Sequence, residues 1–128
     1  MKKTLAIFLT FSLPFSLFGC NLFAKKTYKQ ISGAEAKSLM DSEKDYIIID
    51  ARTQSEYNEG HIPGAILIPE YEIAERAERE LPDKKQLILV YCRSGRRSKI
   101  AAEELVKLGY TNVKEFGGII DWEYDIVK

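Results

Sequence analysis

Between residues 28 and 128 the apolar positions follow two rhythms. Tyr46 to Asp50, reading YIIID, and Leu87 to Tyr91, reading LILVY, are apolar almost throughout and rich in β-branched side chains. A strand wetted on one face alternates apolar with polar, so these two runs predict strands buried on both faces. AILIP (65–69) is a third such run, and Tyr28 to Ile31 and Asn112 to Phe116 are weaker candidates. Helical patterns fall between them. Ser32 with Glu35 and Thr53 with Glu56 carry capping-box spacing. Ile73, Ala77 and Leu81 form a stripe at helical spacing that Pro82 ends. A last helix, from about Ser98 to Leu108, would bury Ile100, Ala101, Leu105 and Leu108 and stop at Gly109. Strands alternating with helices predict an α/β fold whose parallel sheet is covered on both faces.

That order of elements localises the chemistry. Asp50 ends one buried run and Cys92 follows another, which puts both at the carboxyl edge of the sheet, where open α/β folds hold ligands. From Cys92 the chain reads CRSGRRS, a strand-to-helix loop with three arginines, Arg93, Arg96 and Arg97, around Ser94 and Gly95. Backbone N–H groups at a helix start are unpaired and carry partial positive charge. Gly95 permits torsions that a larger residue resists, and inward-turned amides from Arg93 to Ser98 would form a nest for an anion. Helix starts and neighbouring cations stabilise thiolates, so Cys92 is expected to be a nucleophile that attracts anions.

Composition narrows the classes. Nineteen basic and nineteen acidic residues cancel, and no long Lys/Arg run is present, which argues against nucleic acid as a partner. Two cysteines and one histidine cannot build a four-ligand structural zinc site or a dense disulfide framework. The first segment is expected to lie outside the fold. Lys2 and Lys3 precede an uncharged stretch from Thr4 to Ala24, the pattern of an export signal. Leu17-Phe18-Gly19-Cys20 resembles the lipobox of bacterial lipoproteins, with Phe18 where that family carries a smaller residue. The match implies a signal peptide over 1–19, a lipid-bearing Cys20, a tether over 20–27 and one domain over 28–128. A plain cleaved signal peptide and an uncleaved transmembrane anchor are the alternatives. In all three cases the domain is expected to be exported, held at a membrane or free in an extracytoplasmic space. Cys92 would then be the lone free thiol in an oxidising compartment.

The domain resembles the rhodanese (thiosulfate sulfurtransferase) family in its short, single-domain form, over nearly all of 28–128. DARTQSEYNEGHIPGAILIP resembles the family's first signature, CRSGRRS its catalytic loop, and AAEELVKLGYTNVKEFGGIIDW its closing helix, strand and Gly-Gly…Trp segment. The resemblance implies a rhodanese-like α/β fold, with a mainly parallel sheet of about five strands and helices on both faces. It also implies a Cys92 persulfide that takes sulfane sulfur from a small anionic donor such as thiosulfate and gives it to cyanide or a thiol. No metal or organic cofactor is expected, and a monomer suffices. Cys92 is the catalytic residue on this reading. Arg93 is the preferred donor contact within the loop Arg93, Ser94, Gly95, Arg96, Arg97 and Ser98, and Arg97 is a structural or electrostatic support.

Three residues are expected to support the structure. Asp50 should hold the following loop through a carboxylate–guanidinium pair with Arg52, and His61 should fix a turn by hydrogen bonds rather than act as a base. Tyr91 should pack beneath the loop, and Trp122 either packs or lines the site's mouth. Two other readings stay open: a module that binds an anion, a partner or carried sulfur without turnover, and a cysteine phosphatase. The second is disfavoured because cysteine phosphatases separate Cys and Arg by five residues. That spacing from Cys92 falls on Ser98, and Arg97 comes one residue too early.

Overall fold

The computed structural model describes residues 27–128. The signal-like segment, Cys20 and nearly all of the tether lie outside the described residues. In chain order the elements are β1 (Lys29–Gln30), α1 (Gly33–Ser42), β2 (Tyr46–Asp50), α2 (Gln54–Glu59), β3 (Ile66–Leu67), α3 (Ile73–Glu80), β4 (Leu87–Cys92), α4 (Arg96–Lys107) and β5 (Val113–Gly118). Short 3₁₀ turns cover Glu70–Glu72 and Ile119–Asp121. The five strands form one sheet in the order β1-β5-β4-β2-β3, with every neighbouring pair parallel.

The central strand β4 is buried along its whole length, and its side chains alternate between two cores. Ile88, Val90 and Cys92 face one core, with Ile73 and Ala77 of α3 and Ala101, Ala102 and Leu105 of α4. Leu87, Leu89 and Tyr91 face the other, with Ala36, Leu39 and Met40 of α1 and Tyr57 of α2. Helices therefore cover both faces of the sheet, and each fully buried Leu or Ile adds roughly 1.5–3 kcal/mol of burial. The helix starts follow their caps. The Ser32 hydroxyl accepts the Glu35 N–H at 3.0 Å, and Thr53 and Glu56 form a complete capping box.

Three expectations need correction. α4 starts at Arg96, before Ser98, so two loop arginines lie in its first turn. Its buried stripe is Ser98, Ala101, Ala102 and Leu105, whereas Ile100 is exposed. Small side chains let the helix approach the sheet closely, and that contact rather than the largest apolar residue sets its phase. The run 65–69 supplies only two strand residues: Ile68 donates to Asp50 O, the partner of Leu67 at the end of the ladder, and Pro69 has no N–H to continue it.

Candidate active site

Cys92 is the last residue of β4 and points to the α4 side of the sheet, 1% exposed. Gly95 caps α4 with φ 107°, a left-handed conformation that a side chain would strain. That turn sends the Gly95 N–H back to Cys92 Sγ at 3.0 Å. The sulfur thus lies at the start of a twelve-residue helix, facing an amide donor. Ser98, fully buried in the first turns of α4, lies against the same sulfur: the thiol donates to Ser98 Oγ at 3.3 Å.

The three loop arginines separate in role. Arg93 and Arg96 are exposed and form no ion pair among the described residues. Arg97 is committed elsewhere. Its Nη1 and Nη2 donate to Glu56 Oε1 and Oε2 at 2.7 and 2.9 Å, a two-pronged pair that ties the cysteine loop to α2. The bonds from Arg97 hold the Glu56 carboxyl below its ordinary 4.5, at about 2. A carboxyl lowered in the folded state stabilises the fold above its ordinary value and loses that contribution as pH falls towards the folded value. Glu56 and Arg97 side chains are 25% and 20% exposed, so solvent screening limits the effect to on the order of 1 kcal/mol. Glu56→Gln is therefore expected to lower stability at neutral pH and to flatten the loss between pH 4.5 and about 2, read as acid unfolding by circular dichroism.

Asp50 and Cys92 lie on opposite faces of the sheet. Asp50 is fully buried and accepts Arg52 Nε and Nη2 at 2.9 and 2.7 Å, while the Tyr91 hydroxyl donates to its Oδ2 at 2.7 Å. Arg52 Nη2 reaches on to Gly60 O at 2.6 Å, so the pair fastens the end of α2. Tyr91 OH also accepts the Ile62 N–H at 3.1 Å; burial, then the charge of Asp50, pushes its phenol well above the ordinary range. His61 stacks on Tyr57 with ring centroids 3.7 Å apart, and its Nδ1 meets Tyr57 O at 2.9 Å. Its backbone pairs with Val127 and draws in the C-terminal segment. Trp122 packs between Phe116 and Tyr124, with its ring edge 3.5 Å from where a Gly33 Cβ would stand. Among the described residues, no His, Cys, Asp or Glu cluster is arranged to hold a metal ion.

One residue at the site was not singled out in the sequence. Glu115 of β5 is 3% exposed, and its Oε1 accepts the Ser98 hydroxyl at 2.7 Å and the Gly117 N–H at 2.8 Å. Its parity with the core residue Val113 carried a signal, since a carboxylate at an inward strand position needs partners.

Comparison with known proteins agrees with this architecture. The family model described as "Rhodanese-like domain" matches residues 32–125. The chain is 44% identical over 80 residues to "Thiosulfate sulfurtransferase PspE" of Escherichia coli, covering 62% of this chain and 77% of that protein. It is 37% identical over 97 residues to "Thiosulfate sulfurtransferase GlpE" of Coxiella burnetii, covering 75% and 88%. A solved structure described as "rhodanese with anions from E. coli" superposes with a TM-score of 0.61 at 41% identity, over 65% of this chain and 98% of that one.

Proposed function

Because the chain belongs to the rhodanese-like domain family, with thiosulfate sulfurtransferases among its relatives, we propose that it moves sulfane sulfur through a persulfide on Cys92. The donor is a small anion of the thiosulfate class, and the acceptor is cyanide or a thiol. The observation that carries this reading is the placement of Cys92 Sγ at the start of α4, with the Gly95 N–H 3.0 Å away. An anionic sulfur, whether thiolate or persulfide, is stabilised by a donor fixed in place before the reaction.

In the first step the Cys92 thiolate attacks the outer sulfur of the donor. The donor's S–S bond breaks and sulfite leaves with the bonding electrons. In the second step the acceptor attacks the terminal sulfur of the persulfide, and Cys92 departs as a thiolate. No metal or organic cofactor takes part in either step. Every group invoked comes from one chain, so a monomer suffices. Arg93 and Arg96, exposed and in no ion pair among the described residues, suit the capture of an anion; the E. coli relative described with anions lends this support. The stretch from Lys2 to Cys20 supports an exported, membrane-attached location.

Steady-state turnover with thiosulfate and an acceptor thiol tests the reading. Arg93→Ala is expected to raise the KM for thiosulfate roughly ten-fold, with a much smaller change in kcat, because a charge-assisted contact to the bound donor is lost. An unchanged KM would remove Arg93 from the donor site. Absence of turnover with every donor and acceptor pair would instead favour a module that binds or carries without catalysis.

A further inference from the structure

Behind the cysteine loop lies a buried charge that sulfur transfer, as described above, does not use. Ser98 has a single hydroxyl proton and several neighbours. Glu115 Oε1 is nearest at 2.7 Å, while Gly95 O and Gly117 O stand at 3.0 and 3.4 Å. The proton therefore goes to the carboxylate, and the hydroxyl oxygen is left to accept from the Cys92 thiol at 3.3 Å. The thiol, hydroxyl and carboxylate form one donor chain that spans the end of β4, the first turns of α4 and β5.

We infer that Glu115, acting through Ser98, is the proton acceptor for Cys92; this rests on the reading of Cys92 as the reacting thiol. The thiol proton passes to Ser98 Oγ as the Ser98 proton passes to Glu115 Oε1. Ser98 is neutral before and after, and one negative charge moves from the carboxylate to the sulfur. Afterwards the acid donates to the hydroxyl and the hydroxyl donates to the thiolate, so the chain remains fully bonded in both forms. The charge arrives on a sulfur that faces the Gly95 N–H and the start of α4, donors suited to an anion. The same path runs backwards when the acceptor removes sulfur and Cys92 leaves as a thiolate. Glu115 touches neither donor nor sulfur, and is a positioning residue for the proton.

Other charged groups face this chain. Tyr28, next to β1, has its phenol raised by burial and then by the carboxylates of Glu103 and Glu115. Arg97 on α4 feels the fields of Cys92 and, across the sheet, Asp50. Arg93 and Arg96 belong to the same loop and are exposed. Glu115 itself pairs with Gln30 and Val90, and the nearest strand lysines, Lys29 on β1 and Lys114 on β5, form the pair one position before it. None of these supplies the carboxylate bonded to Ser98, so substitution of Glu115 separates their influence from the relay.

The test is the rate of Cys92 alkylation by iodoacetamide between about pH 4 and pH 10, the span of ordinary carboxyl and thiol titrations. An isolated thiol gives one rise. A thiol that shares a proton with a carboxylate gives two, the first where the thiolate–acid form appears and the second where the last proton leaves. The wild-type protein is expected to show two rises with a plateau between them, and Glu115→Gln, which keeps an acceptor for the Gly117 N–H, only one. Ser98→Ala should lower the plateau roughly ten-fold through loss of the hydrogen bond to the thiolate. A single rise in the wild type, two rises surviving in Glu115→Gln, or an unchanged plateau in Ser98→Ala would each overturn the relay. No sulfur donor is present in this experiment. A protein that fails at sulfur transfer but shows the two rises sinks the proposed function alone, and the converse sinks the relay alone.

Discussion

Gly118→Ala is expected to destabilise the domain by roughly 3 kcal/mol and to abolish sulfur transfer. A Cβ at this position would stand 1.9 Å from Arg93 O, 2.4 Å from Arg93 C and 2.6 Å from Ser94 Cα. All three atoms belong to the chain immediately after Cys92, and two of them are carbonyl backbone that cannot rotate away as a flexible side chain would. Gly118 pairs with Cys92 across β4 and β5, where the register shifts by a bulge. Relief of the clash must therefore move either the cysteine loop or the end of β5, and both hold the candidate site. The backbone at Gly118 is extended, with φ −127°, so torsional strain plays no part. Its neighbour provides the contrast. Gly117 has φ 85° and open space where a Cβ would go, so Gly117→Ala should cost only the torsional penalty of about 1–2 kcal/mol. Thermal melts of the two variants would show the difference: a fall of roughly 15 °C for Gly118→Ala, and of about 5–10 °C for Gly117→Ala. Equal falls would mean that conformation, rather than contact, explains the paired glycines.

Cys92→Ser is expected to remove turnover completely while leaving the fold in place. The replacement is smaller by little more than the difference between sulfur and oxygen, and the Gly95 N–H and Ser98 Oγ remain as partners for a hydroxyl. Some loss of stability should follow the introduction of a hydroxyl into the core face shared with Val90 and Ala101, on the order of 1 kcal/mol. A serine at this position cannot form a persulfide, and the other cysteine in the sequence, Cys20, belongs to the segment before the domain. Turnover that persisted in the variant, measured with thiosulfate and a thiol, would assign the chemistry to a different group.

Much of this architecture was readable from local pattern. YIIID and LILVY announced β2 and β4 because a strand covered on both faces carries no alternation, and Thr53 with Glu56 announced the start of α2 because the cap is a local bond. The position of Cys92 at the end of a buried strand followed from the same rhythm. What escaped were properties set by contacts between distant segments. Ile100 resembles a core residue in isolation, yet α4 meets the sheet through Ala101 and Ala102. Arg97 reads as a support from its place near the helix start, while its partner, Glu56, lies 41 positions earlier in a helix cap and is not visible from the loop. Glu115 falls in a weak strand pattern, and its meaning depends on Ser98 from another element. The two glycines of the closing segment look alike in sequence, although one is required by its torsion and the other by the backbone it touches.

The central claim is that sulfur is carried covalently on Cys92. Intact mass after exposure to thiosulfate and removal of the excess reads that directly. A Cys92 persulfide predicts one added sulfur on the wild-type protein, removed by a thiol acceptor and absent from Cys92→Ser. An unmodified wild-type mass, or the same adduct on Cys92→Ser, would contradict it.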